Sequence, residues 1–321
     1  MFPLLTLCAV CIESLFGYPG RLFSAIGHPV TWMGRWIALL DRRLNRQASV
    51  PASRMAGLIA LVLIVALPVT MTMAARTVLH AALPEPVCLL IEAMAASTLI
   101  AQRSLYTHVR AVWTALRSAG LEGGRRAVSQ IVGRDPETLD EAGVIRAAIE
   151  SLAENFSDGV VAPVFWLAVL GLPGIVAYKA INTADSMIGH LTPRHADFGR
   201  AAALCDDCVN IPASRLTALL LILAAFLCRY SAPGAIRSVW RDARRHRSPN
   251  AGWPEAAMAG ALVLRLAGPR HYGGVVVPDS WMGCGRSEAR PEDLAGALVL
   301  YRLACVILGA CLLGLLIGMR A

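Results

Sequence analysis

The sequence predicts an all-α, polytopic integral membrane protein built as a helical bundle. Of its 321 residues, 56% are hydrophobic and only 16% are charged, and the mean hydropathy is +0.56. Soluble proteins contain about 25% charged residues, so this composition argues against an ordinary soluble enzyme. Several apolar segments approach the roughly 20 residues that a helix needs to cross a bilayer, and no stretch has the period of a strand. We predict one membrane domain over residues 1–321, with a helical cytoplasmic insertion at residues 103–159.

Six segments are predicted to cross the membrane. The clearest, Met55–Ala75, contains no charged residue, and Leu294–Met319 contains a single arginine. The first helix, near residues 1–17, lacks the basic start of a secretory signal, so we expect it to be retained. The uncharged segment Val160–Tyr178 should break where Gly and Pro cluster, at Gly171–Gly174. The remaining two segments are Pro86–Gln102 and Ile211–Cys228.

Three of these segments contain an ionisable residue that is a candidate for function. An ionisable group inside a span is costly and is by default a functional hypothesis. Glu92 and Arg215 lie near the ends of their segments. Their side chains could extend to the membrane interface, which is a simpler explanation of a charge at these positions. For Glu13, function and a structural role stay equally open. The nine cysteines lie mostly in apolar stretches and predict no disulfide framework.

The arginines predict the orientation of the spans. The formal charge is +8, and all but one of the 30 basic residues are arginine. Arg21–Arg54 and Arg229–Glu255 each contain six arginines, and the positive-inside rule places both in the cytoplasm and the N-terminus outside. Simple alternation then places Asn182–Val209 outside. If the helix broken at Gly171–Gly174 instead re-enters the membrane, that stretch returns to the cytoplasmic side, which is the arrangement we favour.

Four polar clusters flank the apolar segments, and the first contains three acidic residues. Glu150, Glu154 and Asp158 are spaced i, i+4 and i+8, which is one face of a helix if the helix continues. Stacked carboxylates repel one another unless they are solvated, paired or bridged by a cation. Mg²⁺ commonly binds one or two carboxylates together with substrate phosphates. A solvated amphipathic face is the alternative, but the position just before a span favours a site at the membrane surface.

The second cluster contains the only lysine of the chain. Lys179, Asn182 and Ser186 share one helical face, and Asp185 lies beside it. Lys179 follows an uncharged segment, so binding a phosphate and reaching out to the interface are equally good explanations.

The third cluster combines two cysteines with acidic residues. Cys205 and Cys208 have a metal-ligand spacing, but a zinc site needs about four ligands and there is no second cysteine pair. The adjacent Asp206 and Asp207, with Asn210 one turn later, are better suited to a hard cation. A polar helix end without function is the alternative.

The fourth cluster is a rigid turn in which Asn250, Trp253 and Glu255 are interspersed with two prolines and a glycine. Alternatively, Trp253 is a residue of the aromatic belt that membrane proteins have at the membrane interface. The sequence contains no Walker A, dinucleotide-binding, zinc-protease or serine-hydrolase motif. Any ATP site is therefore of a non-standard kind.

The sequence motifs that contain these clusters resemble those of the CobD/CbiB family of cobalamin biosynthesis. They occur in the family's order from about Glu13 to Gly274. The chain departs from the family pattern at Glu13, Lys179 and His190, where the family more often has Asp, Arg and Tyr. The matching strings are His28–Arg35, Glu150–Trp166, Asn182–Gly189, Asp206–Asp207 with Asn210, Ser248–Ala261, and Gly268–Pro269 with Tyr272–Gly274.

The resemblance implies a multi-pass enzyme of the cell inner membrane that forms an amide bond. It joins (R)-1-amino-2-propanol phosphate, or the free aminopropanol, to the propionate carboxyl of adenosylcobyric acid. ATP and Mg²⁺ are the expected cofactors, the corrinoid is a substrate, and other enzymes of the pathway are expected partners at the membrane, with no nucleic acid. The implied catalytic residues are Glu150, Glu154, Asn155, Asp158 and Asp185. The implied substrate- and phosphate-binding residues are His28, Arg35, Lys179, Asn182, Asn250 and Glu255, with the arginines of Arg241–Arg247. The implied Mg²⁺ ligands are Asp206, Asp207 and Asn210.

Two other functions fit parts of the sequence. Broken helices and charges inside the membrane also suit a transporter for a corrinoid or anionic ligand, although the spans are few and no inverted repeat is evident. A non-catalytic scaffold for a biosynthetic complex would leave each polar cluster replaceable. We further predict that all four clusters come together in one site, because ligand sites in helical bundles are built from facing helices.

Overall fold

The computed structural model describes residues 2–18, 20, 24–25, 27–46, 49–133, 136–268, 270–272, 275–277 and 280–319. Arg21, Pro269, Gly273 and Gly274 of the sequence analysis lie outside this part of the chain. The predicted all-α membrane bundle is confirmed. The helices, in chain order, are α1 (Pro3–Phe16), α2 (Pro29–Leu44), α3 (Val50–Ala82), α4 (Glu85–Ser97), α5 (Gln102–Val128), α6 (Glu141–Phe156), α7 (Ala162–Ile188), α8 (Arg200–Leu227), α9 (Ala232–Asp242), α10 (Gly252–Leu262) and α11 (Pro291–Gly318).

Four short strands form two antiparallel pairs between α10 and α11. β1 (Leu266–Ala267) pairs with β4 (Trp281–Met282), and β2 (Arg270–Tyr272) pairs with β3 (Val275–Val277). Each strand contains two or three residues, which is too short to produce a recognisable period in the sequence.

Five helical stretches of the described residues are long and apolar enough to cross a membrane. Each overlaps one of the predicted spans, whereas the helix predicted as the first span, α1, has only 14 residues. In the most apolar part of α3, 17% of the residues are buried, compared with 67% in the most apolar part of Glu141–Ile188. The outer side of α3 is therefore available to lipid. The five stretches are Val50–Ala82, Glu85–Val128, Glu141–Ile188, Arg200–Leu227 and Pro291–Gly318.

Helical geometry is interrupted where the sequence predicted a break. Gly171 has φ 68° and ψ −159° inside α7, and Pro173 follows two residues later. A side chain would be strained at this positive φ. A second interruption, at Gly120 in α5 (φ 60°, ψ −157°), was not predicted. Between α6 and α7, Ser157–Val161 forms a π-helical turn, a feature that often marks functional sites.

The chain divides into two compact units, and the boundaries fall within long helical stretches. The first unit comprises residues 1–101, 162–210 and 312–321, and the second comprises residues 102–161 and 211–311. In the first unit, α2, α3, α7 and the start of α8 share a hydrophobic core that includes Ile37, Ile64, Ile181 and Phe198.

At one end of the first unit, the loop between α7 and α8 packs against the arginine-rich ends of α2 and α3. Arg194 Nη2 lies 2.7 Å from Asp41 Oδ2, and Arg54 Nε lies 2.9 Å from Asp197 Oδ1. Gly57 approaches so closely that a Cβ there would lie 1.9 Å from the Phe198 carbonyl oxygen. Simple alternation of spans would separate these two segments, so the observed packing is the arrangement that the re-entrant prediction requires.

Two of the charges predicted inside spans are buried in the first unit. Glu13 is 2% exposed and Glu92 is 5% exposed. Glu92 Oε1 lies 2.8 Å from both Arg76 Nε and His80 Nε2. Glu92 is therefore held by an ion-pair network inside the protein, and reaching out to the interface does not explain it.

Candidate functional site

The second and third predicted clusters come together in the first unit, where they form what we call the α7–α8 cluster. Asp206 lies at its centre: its carboxylate accepts hydrogen bonds from Asn182 Nδ2 (3.3 Å) and Asn210 Nδ2 (3.0 Å). Tyr178 donates its hydroxyl to Asn210 Oδ1 at 2.9 Å, and Lys179 Nζ lies 3.4 Å from Asn182 Oδ1. Asp206 and Asn210 are 8% and 1% exposed. The cluster is thus a hydrogen-bonded polar network inside a helical bundle.

The α7–α8 cluster concentrates negative charge. Asp185 and Asp207 both repel Asp206 electrostatically, and Asp185 and Asp207 also repel each other. Asp206 is buried and the other two are half-buried, and a buried carboxylate beside others of like charge is costly unless a proton or a cation compensates it. The two asparagine amides stabilise Asp206 but carry no charge. The cluster therefore suits a ligand that brings positive charge.

Oxygen donors of this kind fit Mg²⁺ rather than zinc. Within the described residues, no three His, Cys, Asp or Glu side chains converge closely enough to hold a metal ion on their own. Mg²⁺ commonly takes one or two protein carboxylates and completes its shell with water and substrate phosphates. Cys205 and Cys208 are free thiols, and Cys208 is exposed. The Mg²⁺ ligands Asp206, Asp207 and Asn210 stay a prediction.

An apolar groove adjoins the cluster along α7. It has a volume of about 480 Å³, within the range of small-molecule pockets. Val176, which lines it, is one helical turn before Lys179 of the cluster. The other lining residues include Trp32, Trp36, Leu67, Met71 and Leu172. Because Leu67 and Met71 are also exposed on α3, this side of the groove is open to a membrane environment.

His28 is next to Pro29, which lines the groove, and is close enough to Lys179 to be affected by its positive charge. It caps α2, with its Nδ1 accepting a hydrogen bond from the Val30 amide at 3.2 Å. The Tyr18 ring packs edge-on against it, with 4.6 Å between ring centroids. Burial, together with the positive charge of Lys179, lowers the pKa of His28. Arg35, the other candidate on α2, is exposed.

In the second unit, the first cluster separates into residues with different environments. Glu150 is 4% exposed, and its Oε1 accepts a hydrogen bond from the Ala267 amide of β1 at 2.9 Å. Glu154 and Asn155 are exposed, and Asn155 Nδ2 donates to the Ser151 carbonyl at 2.9 Å. Asp158 lies in the π-helical turn, so the condition for one shared face, a continuous α-helix, is not met.

The fourth cluster includes Arg215, which the sequence places near the end of a span and within reach of the interface. Arg215 Nη1 donates to Asn250 Oδ1 at 2.7 Å and to Ser214 Oγ at 2.8 Å. The Arg215 guanidinium also stacks 4.4 Å above the Trp253 ring. Glu255 is 1% exposed, and its Oε2 lies 3.8 Å from His246 Nε2. The only sequence signal for Arg215 was its unusual position in an apolar segment.

The structure therefore brings the second and third clusters together and gives the fourth cluster an additional residue. The joining of all four clusters in one site stays a prediction.

Comparisons with known proteins identify the family. The model of the family described as CobD/Cbib protein matches residues 6–301. The chain is 48% identical over 313 residues to "Cobalamin biosynthesis protein CobD" of Sinorhizobium sp, covering 96% of each chain. It is 48% identical over 303 residues to the protein of that name from Rhodobacter capsulatus, covering 94% of each, and 47% identical over 320 residues to that from Brucella suis, covering 97% of each. No solved structure matches. The chain belongs to the CobD/CbiB family of cobalamin biosynthesis.

Proposed function

We propose that the protein is an adenosylcobinamide-phosphate synthase of the cell inner membrane. It attaches (R)-1-amino-2-propanol phosphate, or the free aminopropanol, to the propionate carboxyl of adenosylcobyric acid, using ATP and Mg²⁺. The observation that carries the proposal is the α7–α8 cluster, in which Asp185, Asp206 and Asp207 accumulate negative charge next to Lys179. The names of the relatives support a role in cobalamin biosynthesis.

The chemistry of the reaction explains why such a cluster is useful. A carboxylate is a poor acyl donor, so the propionate must first be activated, most simply as an acyl phosphate with release of ADP. The amine nitrogen then attacks the acyl carbon, phosphate leaves, and a base takes the proton from nitrogen. Asp206 and Asp207, together with the amide oxygen of Asn210, would hold Mg²⁺, which would supply positive charge to the transferring phosphoryl group. Lys179 lies beside them as a further positive group.

The apolar groove is an argument for a large and partly apolar substrate. A corrinoid bears methyl groups and propionate-derived amides on one ring, so it needs apolar contact beside polar contact. Trp32, Trp36 and Val176 offer the apolar contact, and Lys179 is one turn from Val176 on α7. The groove is smaller than a whole corrinoid, so it would receive one edge of the ring system while the reacting carboxyl lies towards the cluster.

The decisive experiment is reconstitution of the reaction with purified protein in detergent. The protein is incubated with adenosylcobyric acid, Mg-ATP and either amine, and the product is identified by its mass. We expect the amide product with the unaltered chain, and its loss in Asp206→Asn. Asp197→Asn is the matched control, because Asp197 belongs to the same unit but pairs with Arg54 outside the cluster. A folded protein that forms no amide with either amine contradicts the proposal.

A transporter for a corrinoid is the second candidate, and the interrupted helix at Gly171 favours it, because discontinuous helices line many transport sites. Uptake of adenosylcobyric acid into proteoliposomes, without amide formation, would support this function and exclude the synthase.

A further inference from the structure

The guanidinium of Arg215 is fixed in position but is not neutralised. One of its nitrogens, Nη1, is engaged by Asn250 and Ser214, and Trp253 lies under its plane. Its Nε and Nη2 make no hydrogen bond to another residue in the part of the chain that the structure describes. A rigid, planar guanidinium with two donor nitrogens left over is well suited to bind a phosphate or carboxylate through two parallel hydrogen bonds.

A second arginine strengthens the positive charge at this place. Arg244 is near enough to Arg215 to repel it electrostatically. Neither residue forms an ion pair with an acidic side chain of the described residues. Two neighbouring arginines, Arg241 and Arg286, behave differently, because each forms a two-point pair with an aspartate. Arg215 and Arg244 therefore differ from these two arginines, whose charge is balanced by an aspartate.

The backbone around the two arginines holds them in a defined arrangement. The Ser248 hydroxyl accepts hydrogen bonds from the Asn250 and Ala251 amides, both at 3.2 Å, which fixes the loop that presents Asn250. Gly252, at the start of α10, lies so close to the turn of Arg244 that a Cβ there would be 2.3 Å from the Ala243 carbonyl oxygen. The site is thus preorganised before a ligand binds, which lowers the entropic cost of binding.

We propose that Arg215 and Arg244 bind the phosphate group of a phosphate ester, with Asn250 and Trp253 as positioning residues for Arg215. Two sources share this chemistry, the phosphates of ATP and the phosphate of the amino alcohol, and the choice between them rests on the proposed function. Arg215 donates through its two remaining nitrogens, and Arg244, which is exposed, supplies the second charge from the solvent side.

The test measures equilibrium binding to the purified full chain in detergent, without turnover. The probes are Mg-ATP, aminopropanol phosphate and, as the unphosphorylated comparison, free aminopropanol. Arg215→Gln and Arg244→Gln are expected to weaken binding of one phosphorylated probe by about tenfold or more, the scale of one lost charge-assisted hydrogen bond. Binding of free aminopropanol should not change. Arg237→Gln is the matched control, because Arg237 is an exposed arginine of the same unit.

The probe that loses affinity identifies the source of the phosphate. A loss for Mg-ATP alone assigns the site to the nucleotide, and a loss for aminopropanol phosphate alone assigns it to the amine substrate. If both arginine variants bind both phosphorylated probes as tightly as Arg237→Gln does, or if the unaltered chain binds neither probe, the proposal is wrong. Arg244→Gln keeps the test decisive should Arg215→Gln misfold. Because binding is measured without turnover, absence of amide synthesis would refute the proposed function separately.

Discussion

The α7–α8 cluster in the first unit and the Arg215 region in the second unit are built from opposite charges. In the first region, Asp206 is held by two neutral amides and repelled by Asp185 and Asp207, whereas in the second Arg215 is held by a neutral amide and an indole ring and repelled by Arg244. Each region therefore contains neighbouring charges of one sign that repel one another. Such an excess of one sign costs stability, and a ligand of the opposite sign removes that cost.

Ion pairs elsewhere in the molecule provide the contrast. Glu92 is matched by Arg76 and His80, and Asp293 is matched by Arg286. These pairs are complete without a ligand, so their role is to hold helices and loops in place. The comparison teaches that burial of a charge does not by itself indicate function, and that the balance of charge around it does.

The largest expected effect concerns the membrane side of the α7–α8 loop. In a chain from which the native cysteines have been removed, Arg43→Cys and Arg194→Cys should react with an impermeant thiol reagent from the same side, the cytoplasm. The reason is that Arg194 pairs with Asp41, close to Arg43 at the arginine-rich end of α2.

A position in the other arginine-rich segment, Arg245→Cys, should label from the same side as Arg43→Cys. Labelling of Arg43→Cys and Arg194→Cys from opposite sides would contradict the packing at this end of the first unit. Labelling of Arg43→Cys or Arg245→Cys from the periplasm would contradict the predicted orientation.

The second largest expected effect is on turnover and concerns two carboxylates. Asp185→Asn and Glu154→Gln should each lower turnover by about a hundredfold or more, the scale of a lost proton-transfer group, with expression near normal. Amide formation at saturating substrate is the measurement, and Asp197→Asn is the control. Full activity of a well-expressed Glu154→Gln protein would show that this exposed residue is not part of the active site. Full activity of Asp185→Asn would show the same for the α7–α8 cluster.

How far the sequence alone could lead differs between local and long-range features. The spans and the interruption at Gly171 were predictable, because hydropathy and helix breaking act over neighbouring residues. The contact of Asn182 with Asp206, 24 residues apart, was only suggested by the two polar strings. The contact of Arg215 with Asn250, 35 residues apart, was not foreseen.

The reason for this limit is physical. The rotation of one helix against another is set by many weak packing contacts, and it decides which side chains meet. The π-helical turn shows the same limit, since one extra residue in a turn moved Asp158 off the predicted face.

A smaller effect is expected on stability at Glu150. Glu150→Leu removes the acceptor for the Ala267 amide, which is then left buried without its hydrogen bond. We expect a loss of about 1–3 kcal/mol in the free energy of unfolding. Glu150→Gln keeps an oxygen acceptor and should cost much less. The measurement is thermal unfolding in detergent. If Glu150→Gln lowers turnover strongly while stability is unchanged, Glu150 acts in catalysis in addition to holding β1.

The smallest expected effect is the pH dependence contributed by Asp242. Burial raises the pKa of this carboxyl, but hydrogen bonds from Arg241 and from the Gly283 amide outweigh burial, so that its pKa is lowered in the folded protein. A lowered pKa stabilises the fold above the pKa of the unfolded chain, about 3.9, and this contribution is lost as the pH falls through the lower folded value.

Unfolding temperatures between about pH 5 and pH 3 should therefore decrease more steeply for the unaltered chain than for Asp242→Asn, which cannot titrate at this position. Asp140→Asn is a control for a carboxylate of the same unit, one that caps α6 through the Gly143 amide. Identical pH profiles for the unaltered chain and Asp242→Asn would mean that the pair with Arg241 is already broken in solution. In that case Arg241, too, would be an unneutralised arginine, and the distinction between it and Arg244 would no longer hold.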